Sequence, residues 1–446
     1  MWLLLVLALG AVSCASVDDP GKEPDLATAP LVGTACDEAA PCDGEELCCS
    51  GVCVDPTADG ANCGACGAAC PTSCVAGACG CADPTSLGGP AVSISSGFEH
   101  ACALLSDGTV KCWGVNGYGN LGDGTSTNRL APASVCGLGG TVISISGGAE
   151  HTCAVLGDGS VKCWGTNAYG QLGDGTTAQQ LTPVSVIDLG GTAVSIASGW
   201  YHTCALLSDG AVKCWGANEF GGLGDGTMTQ SLAPVSVAGD PGGPAVAISA
   251  GAWHTCALID DGTIKCWGAN FFGQLGDGTP TNRLTPVAVS GLGGAAVSME
   301  TGDFHTCAVL SDGALKCWGF NQFGQLGDGT DVDRATPVSV IGLGGTVDAV
   351  SGGLYHTCAV LSDGALKCWG QNQLGQLGDG TRTDQYSPAP VAGDPGVAAS
   401  ISGGAWHTCA LLSDGSVKCW GDNSLGQLGD GTGTEQLTPV SVLAIP

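Results

Sequence analysis

Gly404 to Thr432 reads GAWHTCALLSDGSVKCWGDNSLGQLGDGT, and the stretch recurs six times upstream with small changes. The seven copies start at Gly97, Gly148, Gly199, Gly251, Gly302, Gly353 and Gly404. All the histidines of the chain, His100, His151, His202, His254, His305, His356 and His407, fall one to a copy. Their spacing is 51 residues, as from His100 to His151, except for 52 between His202 and His254. A repeat of this length and regularity indicates a solenoid, a propeller or an array.

Within one copy, His407–Leu412 and Ser416–Trp420 are strand-like runs joined by Ser413-Asp414-Gly415, with glycine where a three-residue hairpin loop needs a left-handed residue. Centring the hairpin on Asp414 sets Cys409 opposite Cys419. The same arithmetic pairs Cys102 with Cys112, Cys153 with Cys163, Cys204 with Cys214, Cys256 with Cys266, Cys307 with Cys317 and Cys358 with Cys368. Directly opposed strand residues lie close enough for a disulfide, and closing so short a loop adds at most about 2–3 kcal/mol. In most copies a short apolar run precedes the hairpin (Val142-Ile143-Ser144-Ile145) and another follows it (Pro183-Val184-Ser185-Val186). These give four strands per unit, here A to D. Four-stranded units repeated radially predict an all-β, seven-bladed β-propeller.

The pattern G-x-x-H-T-x-A-L-x-x-D-G-x-V-x-x-W-G-x-N-x-x-G-Q-L-G-D-G-T resembles the regulator-of-chromosome-condensation repeat, whose members form seven-bladed propellers. The resemblance covers residues 91–446. It implies the fold without fixing the function: the family's eukaryotic founder is a chromatin-bound exchange factor for a small GTPase, and a bacterial relative is a secreted β-lactamase inhibitor that binds through aromatic loops. The paired cysteines resemble those of bacterial secreted members.

Upstream, residues 1–14 (MWLLLVLALGAVSC) are a short apolar run read as an export signal. Ala11-Val12-Ser13-Cys14 resembles a bacterial lipobox, which makes Cys14 the expected lipidation site; cleavage after Ala15 is the alternative. Residues 15–35 read as a flexible linker. Residues 36–82 hold Cys36, Cys42, Cys48, Cys49, Cys53, Cys63, Cys66, Cys70, Cys74, Cys79 and Cys81 among almost no large apolar side chains, so crosslinks must hold this module. Eleven cysteines cannot all pair among themselves. Cys136, in the link after the first blade, is the expected partner of one of them.

The formal net charge of −29 repels phosphate backbones and argues against nucleic acid as a partner. The histidines and the aspartates of the L-G-D-G-T turns (Asp123, Asp174, Asp225, Asp277, Asp328, Asp379 and Asp430) invite a metal reading. A role repeated in every unit is framework chemistry instead, so neither metal nor cofactor is expected. No histidine is left over for a Ser-His-Asp arrangement, no phosphate-cradling loop occurs, and no catalytic residue is assigned.

The aromatics carry the positive signal. The A–B connections hold Phe98, Trp200, Tyr201, Trp253, Phe304, Tyr355 and Trp406; the C–D connections hold Tyr118, Tyr169, Phe220, Phe271, Phe272, Phe320 and Phe323. In an up-and-down blade these two connections share one face. Tyr118, Tyr169, Phe220, Phe272 and Phe323 share one repeat position and are expected to pack inward; the seven A–B aromatics are the expected binding residues. The sequence thus predicts a monomeric, exported cell-surface lipoprotein or secreted protein, touching membrane only through its anchor, that binds another protein. The alternatives are an envelope enzyme or a carbohydrate- or metal-binding propeller. Nucleotide exchange on a GTPase, by family analogy, conflicts with export and with the charge.

Overall fold

The 51-residue unit folds as the hairpin arithmetic requires. In the computed structural model, residues 89–239, 242–393 and 395–445 are described, together with the short strands Leu47–Cys49, Val52–Val54, Cys74–Val75 and Ala78–Cys79. Blade 1 comprises strand A (Ala91–Ser96), B (His100–Leu105), C (Val110–Gly114) and D (Arg129–Ser134). Blade 7 comprises Ala398–Gly403, His407–Leu412, Val417–Gly421 and Gln436–Ser441. Seven such antiparallel sheets, each in the order A-B-C-D, make the propeller. Cysteine faces cysteine across B and C in every blade. All seven pairs are disulfides, with Cα atoms 4.0–4.1 Å apart. Cys136 is also disulfide-bonded. Because the fourteen blade cysteines pair with each other, its partner lies outside the described residues, as do Cys14, the linker and the side chains of the cysteine-rich module.

A single blade cannot bury its own faces, and the cores form between blades. Leu411, Val417 and Leu428 of blade 7 pack with Ala103, Leu105 and Trp113 of blade 1, so the last blade meets the first directly. Every Trp-Gly tryptophan is fully buried and donates its indole N–H to a backbone carbonyl of the preceding blade, as Trp164 does to Asn120 O at 2.9 Å. The closing contact has the same form, with Trp113 Nε1–H donating to Gln427 O at 3.0 Å. Each blade is one continuous segment of chain. The ring therefore closes by packing and latches, with no strand exchanged between the chain's two ends.

The histidines are the second latch. Nε2 of His100, His151, His202, His254, His305 and His356 lies 2.8–3.1 Å from the hydroxyl of Thr152, Thr203, Thr255, Thr306, Thr357 and Thr408, always in the next blade. That hydroxyl gives its only hydrogen to the carbonyl that the tryptophan also uses, as Thr152 Oγ1 does to Asn120 O at 2.8 Å. The imidazole must therefore donate from Nε2–H. Burial holds these rings well below the ordinary 6.5, at about 3 to 4. At the 7-to-1 seam blade 1 carries Ala101 where the others carry threonine, and His407 Nε2 has no hydrogen-bond partner. The glycine three residues before each histidine lies under the ring, where a Cβ on Gly353 would overlap His356 Cε1.

The Asp-Gly turns are local framework too. Asp123 Oδ1 accepts from Thr125 N at 2.9 Å and from Asn116 Nδ2 at 3.1 Å, while Arg129 grips Oδ2.

Candidate functional site

The two residues before each histidine divide their work. The second-before residues Phe98, Ala149, Trp200, Asp303 and Ala405 line the axial cavity; the residues immediately before the histidine do not. Four of those turn instead onto the C–D loop of the preceding blade. Tyr201 meets Tyr169 with ring centroids 5.2 Å apart, Trp253 meets Phe220 at 5.5 Å, Phe304 meets Phe272 at 5.9 Å and Tyr355 meets Phe323 at 5.0 Å. A–B and C–D connections therefore do share a face.

These pairs join into one network of aromatic contacts. Trp200 is its hub. Projecting from blade 3, it touches Phe98 of blade 1 at 5.6 Å, Trp253 of blade 4 at 5.8 Å and Phe304 of blade 5 at 5.6 Å. Reaching two blades in either direction requires the indole to lie across the axis, where it lids the cavity. Phe304 continues to Tyr355 at 6.0 Å, and Tyr355 to Trp406 at 6.1 Å. Edge-to-face contacts of this kind contribute roughly 0.5–1.5 kcal/mol each beyond the area they bury.

All seven expected binding residues, Phe98, Trp200, Tyr201, Trp253, Phe304, Tyr355 and Trp406, are half-buried. They support one another and still present one edge to solvent, a more rigid arrangement than free-standing loop tips. Of the C–D set, Tyr169, Phe220, Phe272 and Phe323, expected to pack inward, are half-buried like the A–B aromatics they touch, whereas Tyr118 is 44% exposed. The residue that would cover it, one before the histidine of blade 2, is Glu150 instead of an aromatic. Phe271 is exposed and Phe320 is buried within the network.

The face is thus asymmetric: an aromatic arc over blades 3 to 7 and an acidic sector over blades 7, 1 and 2. Burial and the neighbouring Asp422 push the Glu99 carboxyl up; burial and Glu99 do the same to Glu150. Sequence reading missed a second acidic group, at the axis. Five residues before the histidine the blades carry Ser95, Ser146, Ala197, Ser249, Glu300, Ser351 and Ser402, all lining the cavity. Two before it, blade 5 alone supplies a carboxylate, Asp303. Both acids are half-buried in the wall of an open axial cavity of about 340 Å³. Burial pushes both up to about 7, against Ser249 on Glu300 and the Trp200 indole on Asp303, each of which favours the ionised form. Aligning the seven units position by position would have exposed both departures.

A family model for the RCC1-like domain matches residues 58–395, and one for the regulator of chromosome condensation (RCC1) repeat matches residues 398–427. The chain is 37% identical over 358 residues to the ultraviolet-B receptor UVR8 of Arabidopsis thaliana, covering 79% of this chain and 81% of that protein. It is 31% identical over 348 residues to the human (Homo sapiens) E3 ubiquitin-protein ligase HERC2, covering 76% of this chain and only 7% of the ligase. Among solved structures, human WBSCR16 superposes with a TM-score of 0.67 at 24% identity, covering 73% of this chain and 88% of that one. Yeast RCC1 (Prp20), solved bound to Kap60, gives 0.67 at 20% identity, covering 81% and 86%. At these identities the superpositions speak for the fold.

Proposed function

The chain belongs to the RCC1-like domain family, and we propose that it is an exported, non-enzymatic scaffold that docks another protein on the aromatic face. The observation that carries this reading is the continuous aromatic network around Trp200, rigid, half-buried and confined to one face. Protein interfaces draw most of their energy from aromatic anchors held in place before binding. Seven buried disulfides support an oxidising compartment, and with it export; the anchor at Cys14 rests on the lipobox-like Ala11-Val12-Ser13-Cys14. HERC2 matches over too little of its length for a ligase activity to transfer.

The test captures partners from the native envelope with the whole protein, then compares Trp253→Ala, Trp406→Ala and Ser413→Ala after thermal melts confirm folding. Truncating an anchor costs about 2 kcal/mol, roughly thirtyfold in affinity. Ser413 lies in the B–C turn on the other face and should cost nothing measurable. Parent-like binding by both tryptophan variants removes the docking reading.

A further inference from the structure

Among the described residues the axial acids have no counter-charge. The sequence has twelve lysines and arginines. Arg129, Arg283, Arg334 and Arg382 are paired with Asp123, Asp277, Asp328 and Glu435. Seven lysines, Lys111 to Lys418, occupy one register position on strand C of each blade. Where their ammonium groups bond, they meet strand D or the links behind it, as Lys162 does with Gly137 O at 2.8 Å and Lys213 with Ser236 Oγ at 3.0 Å. Lys22 lies outside the described residues. Thus no cation among the described residues serves Glu300 or Asp303.

An uncompensated buried carboxylate is costly, and the fold has a substitute for each. Five other blades place serine where blade 5 has Glu300, and three place alanine (Ala149, Ala252 and Ala405) where it has Asp303. Blade 5 departs from the repeat twice, and both departures put a carboxylate into the same cavity. The remaining lining is serines, Thr301 and a ring of small and aliphatic residues such as Ile94, Ile248 and Ile401, and the lid is aromatic: Trp200 with Phe98. The Trp200 indole nitrogen is buried without a well-formed hydrogen bond, beside Asp303. Carboxylates on the wall, hydroxyls around them and aromatic rings above are the surroundings that hold an alkylammonium group. At roughly 30 Å³ per water, the cavity volume leaves room for a small amine.

We propose that the axial cavity is a binding site for an organic ammonium cation, held by Glu300 and Asp303 beneath the Trp200–Phe98 lid. The cation is a free amine or the side chain of a lysine reaching in from another chain. The inference does not rest on the docking reading, because Trp253→Ala leaves the cavity acids untouched.

The experiment titrates the full-length protein with n-butylammonium chloride, followed by calorimetry and tryptophan fluorescence, against sodium chloride at matched ionic strength. Glu300→Ser and Asp303→Ala restore residues that other blades already use, which protects their folding. The expected result is saturable binding by the parent, at least tenfold weaker in each variant and absent from the double variant. Both variants should melt at or above the parent temperature, since each loses an unpaired acid. A capped peptide, acetyl-Gly-Lys-Gly-amide, separates the sources: competition with butylammonium indicates a lysine side chain, and binding of the free amine alone indicates a small molecule. Absence of saturation with either probe, variants that bind like the parent, or a lower melting temperature for Glu300→Ser would overturn the proposal.

Discussion

Ala101→Thr should stabilise the protein by completing the one histidine latch that is missing. In the six intact seams, a threonine hydroxyl accepts from His Nε2–H and donates to a carbonyl, as Thr408 Oγ1 does with His356 (2.8 Å) and Gln376 O (2.9 Å). At the 7-to-1 seam, His407 Nε2 is buried without a partner, and Gln427 O takes only Trp113. Threonine at 101 gains two buried hydrogen bonds and relieves one orphaned donor. At roughly 0.5–1.5 kcal/mol per bond the gain is about 1–3 kcal/mol. The equivalent threonines are fully buried at the same strand position, so the site has the shape for it. With unfolding entropy of about 2.1 cal/mol/K per residue over a propeller of roughly 350 residues, the melting temperature should rise by about 1.5–4 °C. Differential scanning calorimetry with disulfides intact reads the shift. Ala101→Val supplies the shape without the hydroxyl and should fall short of Ala101→Thr by most of that amount. If valine matches threonine, or threonine fails to exceed the parent, the latch is not what the sixfold pattern indicates.

Other outcomes follow from the same geometry. Thr306→Ala should cost about 1–3 kcal/mol by orphaning His254, measured by denaturant unfolding. Gly353→Ala should destabilise more, because its Cβ would overlap both the His356 ring and the Gly404 carbonyl of the next blade; a melt unchanged from the parent would contradict the packing. The histidine values lie below their unfolded 6.5, so their contribution is fully present above that pH and is lost as pH falls toward 4 to 3. Glu300 has the opposite sign: raised from 4.5 to about 7, its contribution is present below pH 4.5 and lost as pH rises through 7. The melting advantage of Glu300→Ser over the parent should therefore grow from pH 5 to pH 8. Non-reducing peptide mapping should recover Cys102–Cys112 through Cys409–Cys419 as seven short-loop peptides, and Cys136 joined to a peptide from the cysteine-rich segment.

The sequence by itself determined the unit, the number of blades and the disulfide register, because all three are local. The Ser413-Asp414-Gly415 turn fixes which residues oppose each other across strands B and C, and that register sets Cys409 against Cys419. Repetition then copies the answer seven times. Only the tertiary structure decided what happens between copies. Ser96 N–H donates to Ser402 Oγ across 306 residues at 2.8 Å, and no period announces that closure. It likewise made the substitution of alanine at position 101 into an unsatisfied His407, sent Trp200 toward the axis while its neighbour Tyr201 turned onto the preceding blade, and brought Glu300 and Asp303 into the cavity that Trp200 also lines. A periodic sequence states which residue types recur at each position. Closing the strands into a ring converts equal positions in separate copies into neighbours around one axis, and there the departures from the repeat meet.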